Sequence, residues 1–361
     1  MNKKVDVVSL FSGIGGFEEG LRLANIKNKV VFASEIDSFA QISYKSNFSG
    51  EFLHGDITKI DETKVPDHHL LVAGFPCQSF SIAGKRQGFE DIRGTLFFDV
   101  ARILNEKKPK YVLLENVKNL ISHDSSKTIR RILETLNNIG YVVDFTVINS
   151  FESGVPQNRD RTYICGIYNG SSEKFECDKR SSKANKLKQK LNETDFLGFN
   201  FFNKIKFFDE QRYIENVLEE NVDGKFFLDT DRVKQFLRFN LDLNDTKNDR
   251  RIIKLFDLPK EVHNDLERQR RVYSIKGISP TVLARSDSPK ILVSINGTLK
   301  IRKITPTENF RIQGFGDTFV ENIKKTGMSN TQMYKQSGNA VSPPVIAGIL
   351  KFLYKEYIAN D

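Results

Sequence analysis

Along the first half of the chain two hydrophobic rhythms alternate. Short runs dense in Val, Leu, Ile and Phe (VDVVSLF, KVVFASEI, LLVAGF, YVLLENV) have the length and branched content of strands buried on both faces. Between them lie stretches whose apolar residues recur at three- and four-residue spacing (GFEEGLRLANI, SFAQISYKSNF, ARILNEKKP, TIRRILETLNNIG), the pattern of amphipathic helices. Gly140 and Pro109 mark helix ends. The alternation predicts an α/β fold with a doubly wound, Rossmann-like, mostly parallel sheet, and such folds hold ligands at the carboxyl ends of their strands.

From about residue 170 the rhythm dissolves into the Lys/Ser/Asn run DKRSSKANKLKQK, which reads as a solvated face or hinge, and then into irregular Phe-rich sequence. A helical period returns at Val345, Ile349, Phe352 and Leu353. The expected organisation is a catalytic domain of residues 1–189 plus 330–361, with a smaller second domain over 190–329. The last segment returns to pack on the first domain.

Composition narrows the function. A chain of 361 residues with 39% hydrophobic content can bury a core, and a net charge of +9 favours a polyanionic partner. No stretch approaches the ~18 uncharged apolar residues of a membrane span, and Asp6 interrupts the first apolar run, so a soluble, cytoplasmic monomer is expected. The three cysteines, Cys77, Cys165 and Cys177, show no CxxC spacing, and the histidines no paired-ligand spacing. Neither a disulfide framework nor a metal site is expected.

VDVVSLFSGIGGFEEG opens from a strand into a helix across Gly13, Gly15 and Gly16, aiming backbone N–H groups at a ligand. Glu18 stands where a dinucleotide loop has its third glycine, and the loop carries no Lys or Arg for a pyrophosphate. Glu35, at the end of KVVFASE, suits a ribose diol, and Asp56 in HGDI suits an exocyclic amine. An adenosine without phosphates fits, and S-adenosyl-L-methionine is the candidate. Cys77, in GFPCQSFS, follows a strand at the functional edge of the sheet, where it is either an inert thiol or a nucleophile. Glu115, closing YVLLEN, is an acid on an apolar strand. Arg159 and Arg161, before the strand TYICGIY, face either a cleft or surface partners such as Asp160 and Glu152.

These segments resemble the motifs of bacterial DNA (cytosine-5) methyltransferases of the restriction-modification type. SLFSGIGGFEEGL, GFPCQSFSIAG with RGTLFFD, LLENVKNL, PQNRDRTYICG, RKITPTENFRIQGF and QSGNAVSPPVIAGI occur in the family's order, leaving only residues of about 190–295 outside. The resemblance implies a site-specific enzyme that flips a cytosine out of duplex DNA, adds Cys77 to C6 and transfers the S-adenosyl-L-methionine methyl to C5. Glu115 then engages N3 and the exocyclic amine, Arg161 the cytosine O2, and Arg159 supports the thiolate region, while Asn339 braces an arginine. Phe11 stacks on adenine, Gly13 and Gly15 lie near the methionine part, Glu35 holds the ribose, and Asp56 and Ile57 meet the adenine. Leu96 and Val341 line the pocket, and Pro76 and Gln78 shape the cytosine site. Ile36 is aliphatic where some members of the family carry an aromatic ring.

On DNA, the same likeness makes CQSFSIAGKRQGFEDIRG a closing loop in which Ser81, Lys85, Arg86 and Arg93 hold phosphates. In the second domain, target recognition falls to ERQRRVYSIKGISPTVLARSDS. Arg271 or Arg285 reads a base, Thr281 belongs to the recognition pattern SPTVL, and Arg268 or Gln269 fills the vacated stack; phosphate contact accounts for the same arginines equally well. The implied partners are double-stranded DNA and, genetically, a cognate restriction endonuclease.

Overall fold

The computed structural model describes residues 3–76, 95–177, 179–207, 210–239, 252–286 and 288–360. The chain forms two compact units, one of Met1–Asn149, Asp160–Phe207 and Val345–Asp361, the other of Ser150–Arg159 and Phe208–Pro344.

In the first unit, strands β1 (Val5–Leu10), β2 (Asn28–Ser34), β3 (Leu53–His54), β4 (Leu70–Gly74), β5 (Tyr111–Val117) and β6 (Tyr141–Asn149) alternate with helices α1 (Gly16–Leu23), α2 (Ser38–Asn47), α3 (Leu96–Lys107) and α4 (Lys127–Ile139). Next come the two-residue β7 (Gln157–Asn158), which belongs to the second unit, and β8 (Asp160–Tyr168). The seven-stranded sheet has the order β3-β2-β1-β4-β5-β8-β6, parallel except for β8, which runs antiparallel to both neighbours. Its central strands are buried along almost their whole length, as their continuous apolar runs require. Asp37 caps α2 by accepting the N–H groups of Phe39 and Ala40, and Gly140 ends α4 at φ 110°.

Most of the run read as a solvated face or hinge forms helix α5 (Ser182–Leu191), on which Lys183, Lys186 and Lys190 are exposed. Its Lys188 is 2% exposed and pairs with fully buried Asp144 on β6 at 2.6 Å, so charge density there does not mean solvation of every lysine. Asp144 Oδ2 also accepts the N–H groups of Phe201 and Phe202 at 2.9 and 2.8 Å. The Phe201 ring packs on Phe352 and Tyr357. These ties keep residues 190–207 in the first unit, whose middle segment runs to Phe207 where the sequence pattern suggests 189, and whose last segment starts at Val345 where the pattern suggests 330.

The second unit contains α6 (Asp231–Phe239), β9 (Lys254–Asp257), β10 (Arg271–Ser274), β11 (Ser279–Pro280), β12 (Lys290–Ile295), β13 (Thr298–Lys303), α7 (Pro306–Gln313), α8 (Asp317–Lys325) and α9 (Asn330–Asn339). Helix α10 (Pro343–Glu356) leads back into the first unit from Val345 onward. Strands β13-β12-β10-β9 make a four-stranded sheet, and β11 pairs with β7. Asn296 and Gly297, at φ 50° and 77°, turn β12 into β13, because a two-residue hairpin needs positive φ at both positions. Val233, Leu258, Val272, Leu292 and Ile301 form a core around the sheet, and Arg302 meets Glu308 at 2.7 Å in a buried bidentate pair.

Candidate active site

One side of the candidate site is built at the carboxyl ends of β1 and β2. Past Leu10 the chain takes positive φ at Phe11, Gly13 and Gly15 (54°, 56° and 92°), folding the loop back over the sheet. Ser12 fastens it, donating its N–H to Ser34 O and its Oγ–H to Ser9 O, both at 2.9 Å. Gly13 N–H donates to Glu35 Oε2 and Asp37 N–H to Glu35 Oε1, each at 2.8 Å. A carboxylate has about four lone-pair positions, so Glu35 keeps capacity for a ribose diol. A Cβ on Gly13 would meet nothing within 4 Å, leaving that face of the loop open. Beside it Ile36 is 71% exposed, an apolar surface fit for the face of a purine. These features suit a nucleoside without phosphates.

Asp56 Oδ1 accepts both the N–H and the Oγ–H of Thr58, at 3.0 and 2.7 Å, which holds its carboxyl below the usual range. Its second oxygen takes no hydrogen bond from Thr58 and lies 3.8 Å from Lys59 Nζ. Ile57 is buried, and its carbonyl accepts from Arg102 Nη2 at 2.7 Å. Arg102 also meets Glu62 at 2.6 Å and Asp99 at 3.0 Å. Sequence reasoning missed this brace, although Asp99 and Arg102, three apart within the apolar stretch LFFDVARIL, were its visible signal. Phe11 is half-buried against the core, Leu96 half-buried at the first position of α3, and Pro76 exposed.

At the ends of β4 and β5, Glu115 is the register partner of Gly74, three residues before Cys77 in the chain. Glu115 is 9% exposed, and its Oε1 lies 3.2 Å from Arg161 Nε. Arg161 sits inside β8 rather than before it, opposite Val117. Asn116 Nδ2 donates to Phe75 O at 2.8 Å, tying β5 to the segment leading to Cys77. Cys77 itself, with Gln78, Ser81, Lys85, Arg86 and Arg93, lies outside the described residues.

In the second unit Arg159 is 2% exposed. Its Nη2 donates to Gly338 O and Ala340 O at 2.9 Å each, and its Nη1 to Val282 O at 3.3 Å. Among the described residues, neither the Asp160 nor the Glu152 carboxylate holds these guanidinium groups as the surface alternative supposed: carbonyls hold that of Arg159, and Arg161 pairs with Glu115. Asn339 is exposed, and bracing comes from the carbonyls on either side of it. Gly338 permits this: a Cβ there would lie 2.3 Å from Ala284 N and Leu283 C and O. Val341 is 8% exposed.

Arg268 and Arg285 are exposed, and Gln269 O accepts from Lys290 Nζ. Arg271 donates to Glu267 at 3.0 Å, a bond that raises its pKa, and lies 3.8 Å from Asp257; both contacts compete with base reading. Thr281 Oγ1 donates to Asn158 O at 2.6 Å. Among the described residues no helix is long and apolar enough to cross a membrane.

A glycine loop, a strand-end acid and a second acid paired with arginine lie along one edge of a doubly wound α/β sheet, the edge where such folds hold ligands. The chain matches the family C-5 cytosine-specific DNA methylase over residues 5–355 and belongs to it. It is 38% identical over 346 residues to Type II methyltransferase M1.ScrFI of Lactococcus lactis subsp. cremoris, covering 96% of this chain and 77% of that protein. Identity to Type II methyltransferase M.SsoII of Shigella sonnei is 39% over 350 residues, covering 96% and 79%. Identity to Orphan methyltransferase M.SPRI of Bacillus phage SPR is 32% over 441 residues, covering 99% of both. The fold is shared with S. pombe Dnmt2 methyltransferase (TM-score 0.65, 18% identity, 97% and 98% covered). It is shared equally with Entamoeba histolytica methyltransferase EhMeth (TM-score 0.66, 19% identity, 98% and 99% covered). The protein is a DNA cytosine-5 methyltransferase.

Proposed function

We propose that this enzyme modifies one cytosine within a specific duplex sequence, using S-adenosyl-L-methionine and no metal, as the modification half of a restriction-modification system. The relatives named as type II methyltransferases support that biological role. It acts as a cytoplasmic monomer, its cognate nuclease being a genetic partner.

Phe11, Gly13, Gly15, Glu35, Ile36, Asp56, Ile57, Pro76 and Leu96, with Asn339 and Val341, would hold the donor. When bound, S-adenosyl-L-methionine supplies an electrophilic methyl on its sulfonium. Reaching both faces of the pyrimidine requires the cytosine to leave the helix, at a cost of a few kcal/mol. Cys77 then adds as thiolate through Sγ to C6, opening the C5–C6 double bond so that C5 becomes electron-rich and takes the methyl; loss of the C5 proton and expulsion of the Cys77 thiolate restore the ring and free the product. Glu115 engages N3 and the exocyclic amine, and Arg161, oriented by Glu115, meets O2 as charge develops on the ring. Arg159 holds the 282 and 338–340 segments together in the second unit, of which residues 208–329 are the proposed target-recognition domain. There Arg268, Gln269, Thr281 and Arg285 meet DNA, as do Gln78, Ser81, Lys85, Arg86 and Arg93 of the catalytic loop; the carboxylate pairing of Arg271 directs it to phosphate before bases.

The observation that carries this reading is Glu115 beside Gly74 at the strand edge leading to Cys77, with Arg161 at 3.2 Å. Bisulfite sequencing of a plasmid from a host expressing the protein identifies the modified site. An oligonucleotide carrying 5-fluorocytosine at that site then traps a covalent adduct in the wild type and none in Cys77→Ala. An adduct with Cys77→Ala reassigns the nucleophile.

A further inference from the structure

Glu18, in the first turns of α1 just behind the glycine loop, has no part in the reading above. It is 4% exposed. Its Oε1 accepts the Tyr44 hydroxyl at 3.1 Å, and Tyr44, on α2, is 1% exposed. Its Oε2 is buried without a hydrogen-bond partner, as is the Oγ of Ser9, the β1 side chain that faces it. The next acid, Glu19, is occupied by Arg22 at 2.6 Å. One turn beyond Tyr44, Phe48 lies flush on the loop: a Cβ on Gly15 would come 2.3 Å from its ring. Helix α2 starts directly after Glu35, which already holds Gly13 N–H.

We propose that Glu18 is a positioning residue for the methyl donor: by joining Ser9 of β1 to Tyr44 of α2 it holds the glycine loop against the segment that carries Glu35. The proposal rests on the donor-site reading of Gly13, Gly15 and Glu35. Burial pushes the Glu18 carboxyl above its usual range, which favours its protonated form. A proton on Oε2 donates to Ser9 Oγ and satisfies both orphaned atoms, while Oε1 continues to accept from Tyr44. The requirement is therefore for one acceptor and one donor at position 18, without charge. Glutamine meets it and alanine does not.

The test is calorimetric titration of the full-length protein with S-adenosylhomocysteine in the absence of DNA. Glu18→Ala and Tyr44→Phe each weaken binding by about tenfold, the scale of one buried hydrogen bond, and Glu18→Gln stays within about twofold of wild type. Glu35→Ala controls for the underlying reading, and wild-type affinity in that variant sinks the donor site itself. Weakened binding in Glu35→Ala with wild-type affinity in Glu18→Ala and Tyr44→Phe overturns the proposal alone. A Glu18→Gln loss as large as that of Glu18→Ala also overturns it. Should Glu18→Ala fail to fold, Tyr44→Phe and Glu18→Gln decide between the same outcomes.

Discussion

Replacing Gly338 with alanine tests how the second unit holds Arg159. The added methyl would sit 2.3 Å from backbone atoms of Leu283 and Ala284, where ordinary contact begins at 3.4 Å. Backbone cannot swing aside, so α9 must retreat by about 1 Å, an overpacking cost of about 2 kcal/mol. That retreat lengthens the 2.9 Å bonds from Arg159 to Gly338 O and Ala340 O beyond hydrogen-bonding range. Losing partners for a buried guanidinium adds about 2 kcal/mol. For a unit of this size the combined loss lowers the unfolding midpoint by about 10 °C. Differential scanning calorimetry reads the midpoint, and tritiated methyl transfer to DNA reads activity, which falls with it. Because both residues belong to one hydrogen-bonded assembly, Gly338→Ala combined with Arg159→Ala costs less than the two single losses added together. A Gly338→Ala protein that melts within about 1 °C of wild type would refute the reasoning, as would strict additivity.

Three further outcomes follow from other parts of the fold. Asp124, Ser125 and Ser126 take φ of 47°, 55° and 70° in succession, so at exposed Ser125 a β-branched valine should cost about 2 kcal/mol relative to glycine; equal urea midpoints for the two variants would discount the strain. Asp144→Ala strands buried Lys188 and two backbone N–H groups and should cost about 3–5 kcal/mol, more than Lys188→Met, which leaves Asp144 its amide donors. Denaturant unfolding orders the pair, and a larger loss in Lys188→Met is the contrary result. Since Glu18 titrates near 4.5 when unfolded and higher when folded, the unfolded chain binds fewer protons above that pH, and wild-type stability declines as pH rises through the folded value. Glu18→Gln removes the decline, so its advantage over wild type should grow from pH 4 to pH 8; an advantage that shrinks over that range contradicts a buried neutral acid.

The placement of the glycine loop and of Glu35 at strand ends could be read from the chain alone. Gly13, Gly15 and Glu35 stand at the ends of strongly patterned strands, where local turn chemistry and sheet topology constrain what they face. The second unit was less legible because its strands are short and interrupted, yet Asn296-Gly297 between KILVSI and TLKIRK was a readable hairpin signal. Within the lysine run Lys179, Lys183, Lys186 and Lys190 are exposed as composition suggests, and Lys188 alone departs, because a buried carboxylate draws it in. Gly338 was invisible because its demand comes from Leu283 and Ala284, not from its own helix.

The sequence by itself determined the alternation of strands and helices, the functional edge and the chemical types gathered there, because periodicity and turn preference act over a few residues. Tertiary structure alone decided which partner each polar group meets. Arg159 finds its carbonyls 123, 179 and 181 residues away, and its near neighbour Arg161 turns to Glu115 instead. Hydrogen bonds and ion pairs depend on distances of about 3 Å in space, and spacing along a chain carries no record of those distances until the chain has folded.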